Sequence, residues 1–294
     1  MRPPTAILEG RKLLRVIFSI RLPAPSDPEQ ISLLMRKAYE AGAWCFDLPT
    51  MKHFERFREL KRLIDDRSLI GFSHIDAEEG VSFSGKPLHQ FEAKLLSTIK
   101  KNLFLPDSIR NFPPLPFTSD IFTQKEIDRI TFDPSRFEKA LSLFDPEVAP
   151  FLLIGERYGD WLLALGRIDL LKEMIRRVRG RGFIPIFSGQ WATFSLPKAK
   201  PLEAAAYAVP VNRKWSFFDL SQACDLIKKF DRPVISLNPL ADGELLMKSE
   251  EALSFLFDEL KISLAIPEIK SEEEVKIIFE ALKKFPSLIP HTKT

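Results

Sequence analysis

Short apolar runs alternate with helix-patterned segments along most of this 294-residue chain, and each apolar run ends on polar residues. Strict alternation of strand and helix favours a parallel sheet, because a helix must carry the chain back before the next parallel strand can begin. The eight predicted strands cover residues 13–20, 44–46, 68–75, 151–154, 183–187, 207–211, 234–237 and 262–266. Eight such units in a chain of this length predict one α/β domain, a parallel (β/α)8 TIM barrel over residues 1–294.

The alternation stops between residues 77 and 132, where the connection after the third strand is much longer than a usual barrel loop. A helix is predicted at 88–102, followed by a Pro- and Phe-rich stretch at 105–117 without periodicity. Leaving those aromatic side chains in water would be unfavourable. We therefore expect the insertion to pack as a lid over the barrel or to join copies of the chain in a homo-oligomer.

Composition excludes several classes of partner. Forty-three basic and 40 acidic residues give a net charge of +3, too balanced to predict binding to nucleic acid or to an anionic membrane. No apolar run is long enough to predict a membrane span. Cys45 and Cys224 lie too far apart for metal-ligand spacing, and so few cysteines favour a reducing compartment, which predicts a cytoplasmic protein. Scarce amides with abundant Lys, Glu and Pro indicate a thermophilic source.

Polar residues that follow the predicted strands should meet at one face, since barrel active sites are built at the carboxyl ends of the strands. A polar residue in that position also commonly caps the next helix. The whole set is therefore stronger evidence for a ligand-binding pocket than any single residue in it. Carboxylates and guanidinium groups together would suit a small polar or anionic ligand. They would also shift the pKa values of neighbouring side chains apart, so that one acts as an acid and another as a base. The strand-end residues are Arg21, Asp47, His74 with Asp76, Glu156 with Arg157, Ser188 with Gln190, Asn212 with Arg213, Asn238 and Glu268.

Three segments resemble a known family. Residues 233–243 (PVISLNPLADG) are similar to the seventh-strand SPLAGG signature of the aldo-keto reductases, and residues 264–275 (LAIPEIKSEEEV) are similar to their eighth-strand IPG segment and the helix after it. Residues 38–47 (AYEAGAWCFD) resemble the second strand of that family, which supplies a catalytic aspartate followed by a tyrosine. The resemblance implies a TIM barrel with oxidoreductase-like chemistry and places Asp47 at the catalytic position.

The catalytic pattern of that family is only partly present. Aligned on Asp47, the tyrosine that would donate a proton falls on Lys52. The family's lysine would fall near Ser73 or His74, and its histidine near Gly155 or Glu156. The role of general acid then falls to Lys52 or His74.

From these residues we predict a site with two groups of residues, one catalytic and one substrate-binding. The predicted catalytic residues are Asp47, Lys52, His74 and Glu156. The predicted substrate-binding residues are Arg21, Arg157, Gln190, Asn212, Asn238 and Glu268.

The resemblance also implies a nicotinamide cofactor, NADP(H), whose adenosine phosphate would be held by Lys270, Ser271 and Lys276. The same segment allows another interpretation, because Ser271 and Glu274 match a helix capping box and acidic residues there would repel phosphate. The cofactor therefore stays unknown from the sequence.

Two other functions remain open. Asp47, His74, Asp76, Glu156 and Glu268 would suit an oxygen-rich divalent-metal site of a hydrolase, lyase or isomerase, although histidine is scarce and no metal ligand is assigned. Alternatively, the barrel is non-catalytic and the insertion at 77–132 is an interaction surface. The other histidines, His53, His89 and His291, are predicted as surface, packing or tail residues.

Overall fold

The computed structural model describes residues 3–23, 27–66, 68–103 and 118–287. Its strands in chain order are β1 (Thr5–Leu8), β2 (Arg11–Leu14), β3 (Phe18–Ile20), β4 (Cys45–Leu48), β5 (Ile70–Asp76), β6 (Val81–Phe83), β7 (Lys86–Pro87), β8 (Ile130–Phe132), β9 (Phe151–Gly155), β10 (Ile184–Ser188), β11 (Ala206–Pro210), β12 (Val234–Leu237), β13 (Leu264–Ile266) and β14 (Glu268–Ile269). Its α-helices are α1 (Pro28–Glu40), α2 (Met51–Ile64), α3 (Glu92–Leu103), α4 (Gln124–Ile127), α5 (Pro134–Leu141), α6 (Glu156–Ala164), α7 (Ile168–Gly180), α8 (Ala192–Ala199), α9 (Leu220–Lys229), α10 (Ser249–Ser254) and α11 (Glu272–Leu282).

The central sheet is parallel and closes on itself, which confirms the predicted TIM barrel. Its strand order is β13-β12-β11-β10-β9-β5-β4-β3-β14. Strands β13 and β14 are two parts of one extended segment interrupted at Pro267, so this last segment pairs with β12 on one side and β3 on the other. The backbone N–H of Ile17 donates to the carbonyl of Ala265 at 2.8 Å and helps to join the first and last segments.

The core lies inside the barrel and between the barrel and its helices. Every residue of β9 is buried, as expected for a strand covered on both faces. Phe72 of β5 stacks on Phe151 of β9 with ring centroids 4.4 Å apart. Helix α7 turns one apolar face inward through Leu170, Leu171, Met174, Ile175 and Val178. Burying each large apolar side chain stabilises the fold by about 1.5–3 kcal/mol.

The predicted first strand, 13–20, is wrong as a single element. Its first part belongs to a hairpin in which β1 pairs antiparallel with β2, and the barrel strand β3 begins only at Phe18. Glu9 and Gly10 both have positive φ, +48° and +75°, the backbone of a two-residue hairpin turn. The hairpin lies at the amino-terminal end of the barrel, where Leu14 N donates to Cys45 Sγ at 3.4 Å.

Two helices follow β9 where the sequence predicts one. Helix α6 starts directly after the strand, and α7 then leads to the next barrel strand. Helix α8, which includes Pro197, lies between the fifth and sixth barrel strands. Helix α10 is continued by a π-helical stretch, Phe255–Glu259. These differences do not change the order of the barrel strands.

The long insertion after the third barrel strand is present. It contains a small antiparallel sheet in the order β7-β6-β8, and α3 corresponds to the helix predicted at 88–102. Glu92 of α3 accepts a hydrogen bond from Tyr158 Oη of α6 at 2.6 Å, which ties the insertion to the barrel helices. The Pro- and Phe-rich segment at 105–117 lies outside the described residues, as does His291. No helix among the described residues has the length and apolar character needed to cross a membrane.

Candidate functional site

The carboxyl ends of the barrel strands surround a cavity of about 570 Å³. Seven of the predicted site residues line it: Arg21, Asp47, His74, Glu156, Gln190, Asn238 and Glu268. The wall also contains Ser19, Thr50, His53, Trp215 and Asp242, which the sequence did not single out as site residues. The parallel arrangement of the strands brings these residues together, since all carboxyl ends lie on one face.

Asp47 is held deep in this cavity at only 4% exposure. It lies on β4 opposite Ser19 of β3 in the strand register, and Ser19 Oγ donates to Asp47 Oδ2 at 2.7 Å. Asp47 Oδ1 lies 2.5 Å from His74 Nε2 of β5. Each carboxylate oxygen therefore has one short polar contact, which meets the need of a buried anion for partners.

His74 lies between two carboxylates. Its Nδ1 lies 3.1 Å from Glu156 Oε1, while its Nε2 contacts Asp47. Burial by itself lowers the pKa of His74, but the charge of Asp47 and the hydrogen bonds to Asp47 and Glu156 outweigh it and raise the pKa to about 10. At neutral pH His74 is therefore an imidazolium that donates through both ring nitrogens.

Glu156 is the last residue in this series of contacts, and it faces the cavity. Its side chain is 40% exposed. The hydrogen bond from His74 lowers the pKa of Glu156 against the opposing effect of burial, so Glu156 is a carboxylate at neutral pH. Ser19, Asp47, His74 and Glu156 thus form one continuous series of hydrogen bonds from the barrel wall to the cavity.

An unusual backbone positions Glu156. Gly155 has φ +127° and Glu156 has φ +48°, a region that L side chains seldom adopt. A Cβ atom added at Gly155 would collide with the carbonyl oxygen of Ser188 on the neighbouring strand. Strain of this kind persists only where the surrounding structure enforces it, and it is concentrated at functional sites.

His53 is a wall residue that the sequence analysis placed among surface or packing residues. The surface alternative is wrong, because His53 is 8% exposed. Its Nε2 lies 3.0 Å from the carbonyl oxygen of Ile20, which can only accept, so Nε2 carries the proton. Nδ1 then accepts from Thr50 Oγ1 at 2.8 Å. Burial lowers the pKa of His53, so this ring is neutral while His74 is charged.

Charged and amide side chains form the rest of the wall. Arg21, mostly exposed, is ion-paired with Glu268. Asn238 has φ +51°, and its Nδ2 donates to Asp242 Oδ1 at 2.9 Å. Four carboxylates, those of Asp47, Glu156, Asp242 and Glu268, face the cations Arg21 and His74. The cavity therefore carries an excess of negative charge.

Three predicted site residues point elsewhere or support the wall from behind. Lys52 is exposed on α2 and does not line the cavity. Arg157 is ion-paired with Glu92 at 2.9 Å and lies over the ring of Trp161. Asn212 is fully buried, and its Nδ2 donates to the carbonyl of Asn238 at 3.1 Å, so Asn212 holds the backbone of the wall.

A buried carboxylate behind the cavity, Asp160 of α6, was also missed. Asp160 Oδ2 accepts the backbone N–H of Gln190 at 2.5 Å and that of Trp191 at 3.1 Å. Asp160 Oδ1 accepts from Ser195 Oγ. Asp160 thereby fixes the loop after β10 that carries Gln190. Asp160 lies in the middle of a helix, so its position in the sequence does not indicate that it fixes this loop.

The residues expected to hold the adenosine phosphate of a nicotinamide cofactor lie among glutamates at the start of α11. Ser271 Oγ accepts from Glu274 N, and Glu274 Oε2 accepts from Lys270 N at 2.6 Å, which is the capping interpretation. Lys276 is ion-paired with Glu272 at 2.7 Å. Three successive glutamates in the first turn of α11 make this helix start unfavourable for a phosphate, so these residues do not fit the cofactor.

A metal centre of three or more His, Cys, Asp or Glu ligands does not occur among the described residues. His74 also has both ring nitrogens directed at carboxylates, so neither nitrogen is presented to a metal ion in this arrangement.

Solved structures share this architecture over nearly the whole chain. An aldo-keto reductase from Bacillus halodurans, in its holo form, has a TM-score of 0.61 at 11% identity, with 98% of this chain and 93% of that chain covered. An aldo-keto reductase from Brucella melitensis has a TM-score of 0.58 at 11% identity, with 98% and 96% covered. This chain has an aldo-keto reductase-like TIM-barrel fold.

The likeness of this aldo-keto reductase-like barrel to those structures is one of fold, because identity is so low. No protein-family model matches the chain, and no curated protein matches it. The chemistry of the barrel must therefore be argued from its own side chains. At the place where the resemblance puts a lysine beside the catalytic aspartate, this barrel has His74 against Asp47.

Proposed function

We propose that this oxidoreductase-like barrel is an enzyme that transfers a proton to or from a small polar substrate bound at the carboxyl ends of the strands. The observation that carries the proposal is the continuous contact from Asp47 through His74 to Glu156, which ends on an exposed carboxylate in the cavity. A titratable pair with displaced pKa values in a cleft is typical of acid–base sites.

The proton path follows from this geometry. In the acid direction, the Nδ1 proton of His74 moves to Glu156, and Glu156 delivers a proton to the carbon next to the carbonyl of an enolate. The substrate gains one proton, and His74 is left as neutral imidazole against Asp47. In the reverse step, the Glu156 carboxylate takes that proton from the carbon and passes it to His74. A donor whose pKa is about 10 suits the protonation of a strongly basic enolate. Glu156 is the catalytic residue that touches the substrate, and Asp47 and Ser19 hold His74 in its orientation.

The charge of the cavity narrows the substrate class. With four carboxylates against two cations on its wall, the cavity disfavours an anion and favours an uncharged or cationic polar molecule. A volume of about 570 Å³ admits a molecule the size of a sugar or an amino alcohol. A neutral or cationic substrate therefore fits this cavity better than the anionic ligand expected from the sequence.

Solvent-deuterium exchange tests this function without knowledge of the full reaction. The protein is incubated in D2O with a panel of neutral hydroxyketones and amino ketones, and deuterium bound to carbon is measured by NMR. We expect incorporation next to the carbonyl of at least one compound and a loss of about 100-fold or more in Glu156→Gln. Glu59→Gln, a surface change on α2, serves as the matched control. An equal rate in Glu156→Gln and the unaltered protein would contradict the proposal.

The fold also leaves a hydride-transferring form of this enzyme as a second candidate. Titration with NADPH, followed by thermal unfolding, separates the two forms. Because the start of α11 is occupied by its own glutamates, we expect no stabilisation by NADPH. Stabilisation that is lost in Lys270→Gln/Lys276→Gln would instead favour the hydride-transferring form.

A further inference from the structure

A second cavity lies at the opposite end of the barrel, where the strands begin. Its volume is about 600 Å³. It is formed where β4, β5 and β9 start, against the hairpin strand β2 and the last turn of α2. The charged and indole side chains around it are those of Arg11, Lys12, Trp44, Lys61 and Glu147. None of them takes part in the proton path.

This cavity carries positive charge where the catalytic cavity carries negative charge. Arg11, Lys12 and Lys61 face a single carboxylate, that of Glu147. Among the described residues, no ion pair joins Arg11 or Lys12 to a carboxylate, and the neighbouring Glu9 is paired with Arg179 instead. Both cations are exposed on β2, and both line the cavity.

Lys61 is placed at the cavity wall by carbonyl groups. Its Nζ donates to the carbonyl oxygen of Glu147 at 2.7 Å and to that of Val148 at 3.3 Å, which leaves one N–H of the ammonium group. Burial and the nearby charge of Arg11 lower the pKa of Lys61, and the carboxylates of Asp145, Glu147 and Asp66 oppose them only in part. An anion between Arg11 and Lys61 would relieve this repulsion.

Trp44 lines the same cavity as these cations. It precedes β4, is partly buried, and its carbonyl accepts from Ile70 N at 2.8 Å, so its backbone is fixed by the sheet. Indole rings at the edge of a pocket stack on planar ligand groups. Cations that lie next to an indole suit a ligand with an anionic part and a planar part.

We propose that this cavity binds a small phosphorylated molecule, with its phosphate between Arg11, Lys12 and Lys61 and its planar ring against Trp44. The ligand differs in charge from the substrate proposed for the other end of the barrel, so the two sites do not compete. The inference does not depend on the proton-transfer function.

Isothermal titration calorimetry with adenosine 5′-monophosphate and with inorganic phosphate tests the site. We expect Arg11→Gln/Lys12→Gln to weaken the binding of both probes by about tenfold or more, since two cationic contacts are lost. Lys228→Gln/Lys229→Gln removes the same charge from exposed positions on α9 and should change neither affinity beyond about twofold. Trp44→Leu should weaken the nucleotide and leave inorganic phosphate unchanged.

Three results would overturn the proposal. These are an absence of nucleotide binding at about 10 mM, equal affinity in the unaltered protein and in Arg11→Gln/Lys12→Gln, and equal loss with the control pair. Equal loss of both probes in Trp44→Leu would overturn the assignment of the ring to Trp44.

Discussion

His74 Nε2 lies 2.5 Å from Asp47 Oδ1, across two adjacent parallel strands of the barrel. The pair is buried, and Ser19 and Glu156 bond to its two outer ends. A buried anion is stable only with partners, and a buried imidazolium only with anions. The charge state of each residue is therefore set by the other.

The pair predicts an unusual titration of His74. By NMR, the ring of His74 should titrate near pH 10, above the ordinary histidine pKa of 6.5, and the ring of His53 should titrate below 6.5. In Asp47→Asn the pKa of His74 should fall, because its strongest attraction is lost. A value near 6.5 for His74 in the unaltered protein would show that the two carboxylates do not hold its proton.

The same shift predicts how stability depends on pH. The folded pKa of His74 lies above its unfolded value, so its ion pairs add stability that is complete below about pH 6.5 and lost as pH rises through about 10. Urea unfolding between pH 6 and pH 10 should show this loss, and His74→Gln should show a smaller dependence over the same range. An identical dependence in both proteins would exclude His74 as its source.

Ser19→Ala tests the outer end of the pair. The hydroxyl of Ser19 donates to Asp47 Oδ2 at 2.7 Å inside the barrel, and alanine leaves that oxygen without this donor. We expect a loss of about 1–3 kcal/mol in the free energy of unfolding, measured with urea. Ser32→Ala, on the outer helix α1, is the matched control, with a smaller loss. Equal losses would mean that the contact with Asp47 adds nothing.

The sequence predicted the barrel because short apolar runs alternate with helix-patterned segments along most of the chain. An error in the bounds of one strand does not change that alternation. The sequence also predicted that Asp47, His74 and Glu156 end neighbouring strands, which follows from chain order alone. It did not predict their mutual contacts, because those depend on rotamers and on the register of β4, β5 and β9. Position in the chain gives no information on side-chain direction, as exposed Lys52 shows.

The missed elements have local causes. The turn at Glu9–Gly10 is a hairpin signal that a continuous apolar run obscured, so β2 and β3 were merged. Helix α6 starts at Glu156 without a side-chain cap, because Gly155 and not a Ser, Thr, Asp or Asn precedes it. His53 looked like one more helix residue, since only the fold brings the carbonyl of Ile20 to its ring.

Asp160→Asn tests the support behind the cavity. Asp160 accepts from two backbone N–H groups and one hydroxyl, and an amide places its NH2 group against at least one of those donors. We expect a loss of about 1–3 kcal/mol in the free energy of unfolding. Hydrogen exchange at the amide of Gln190 should also become faster. Unchanged exchange at Gln190 would show that Asp160 does not fix this loop.

Gly155→Ala tests whether the backbone before Glu156 is required. Gly155 has φ +127°, and an added Cβ would meet the carbonyl oxygen of Ser188, which belongs to the rigid neighbouring strand. We expect a loss of at least about 1–3 kcal/mol in the free energy of unfolding. Because Glu156 follows directly, its contact with His74 should weaken, and the NMR pKa of His74 should fall below about 10. Gly166→Ala also has positive φ, +75°, but has no atom near its Cβ, so it controls for backbone strain alone. An unchanged pKa of His74 in Gly155→Ala would separate the strained turn from the placement of Glu156.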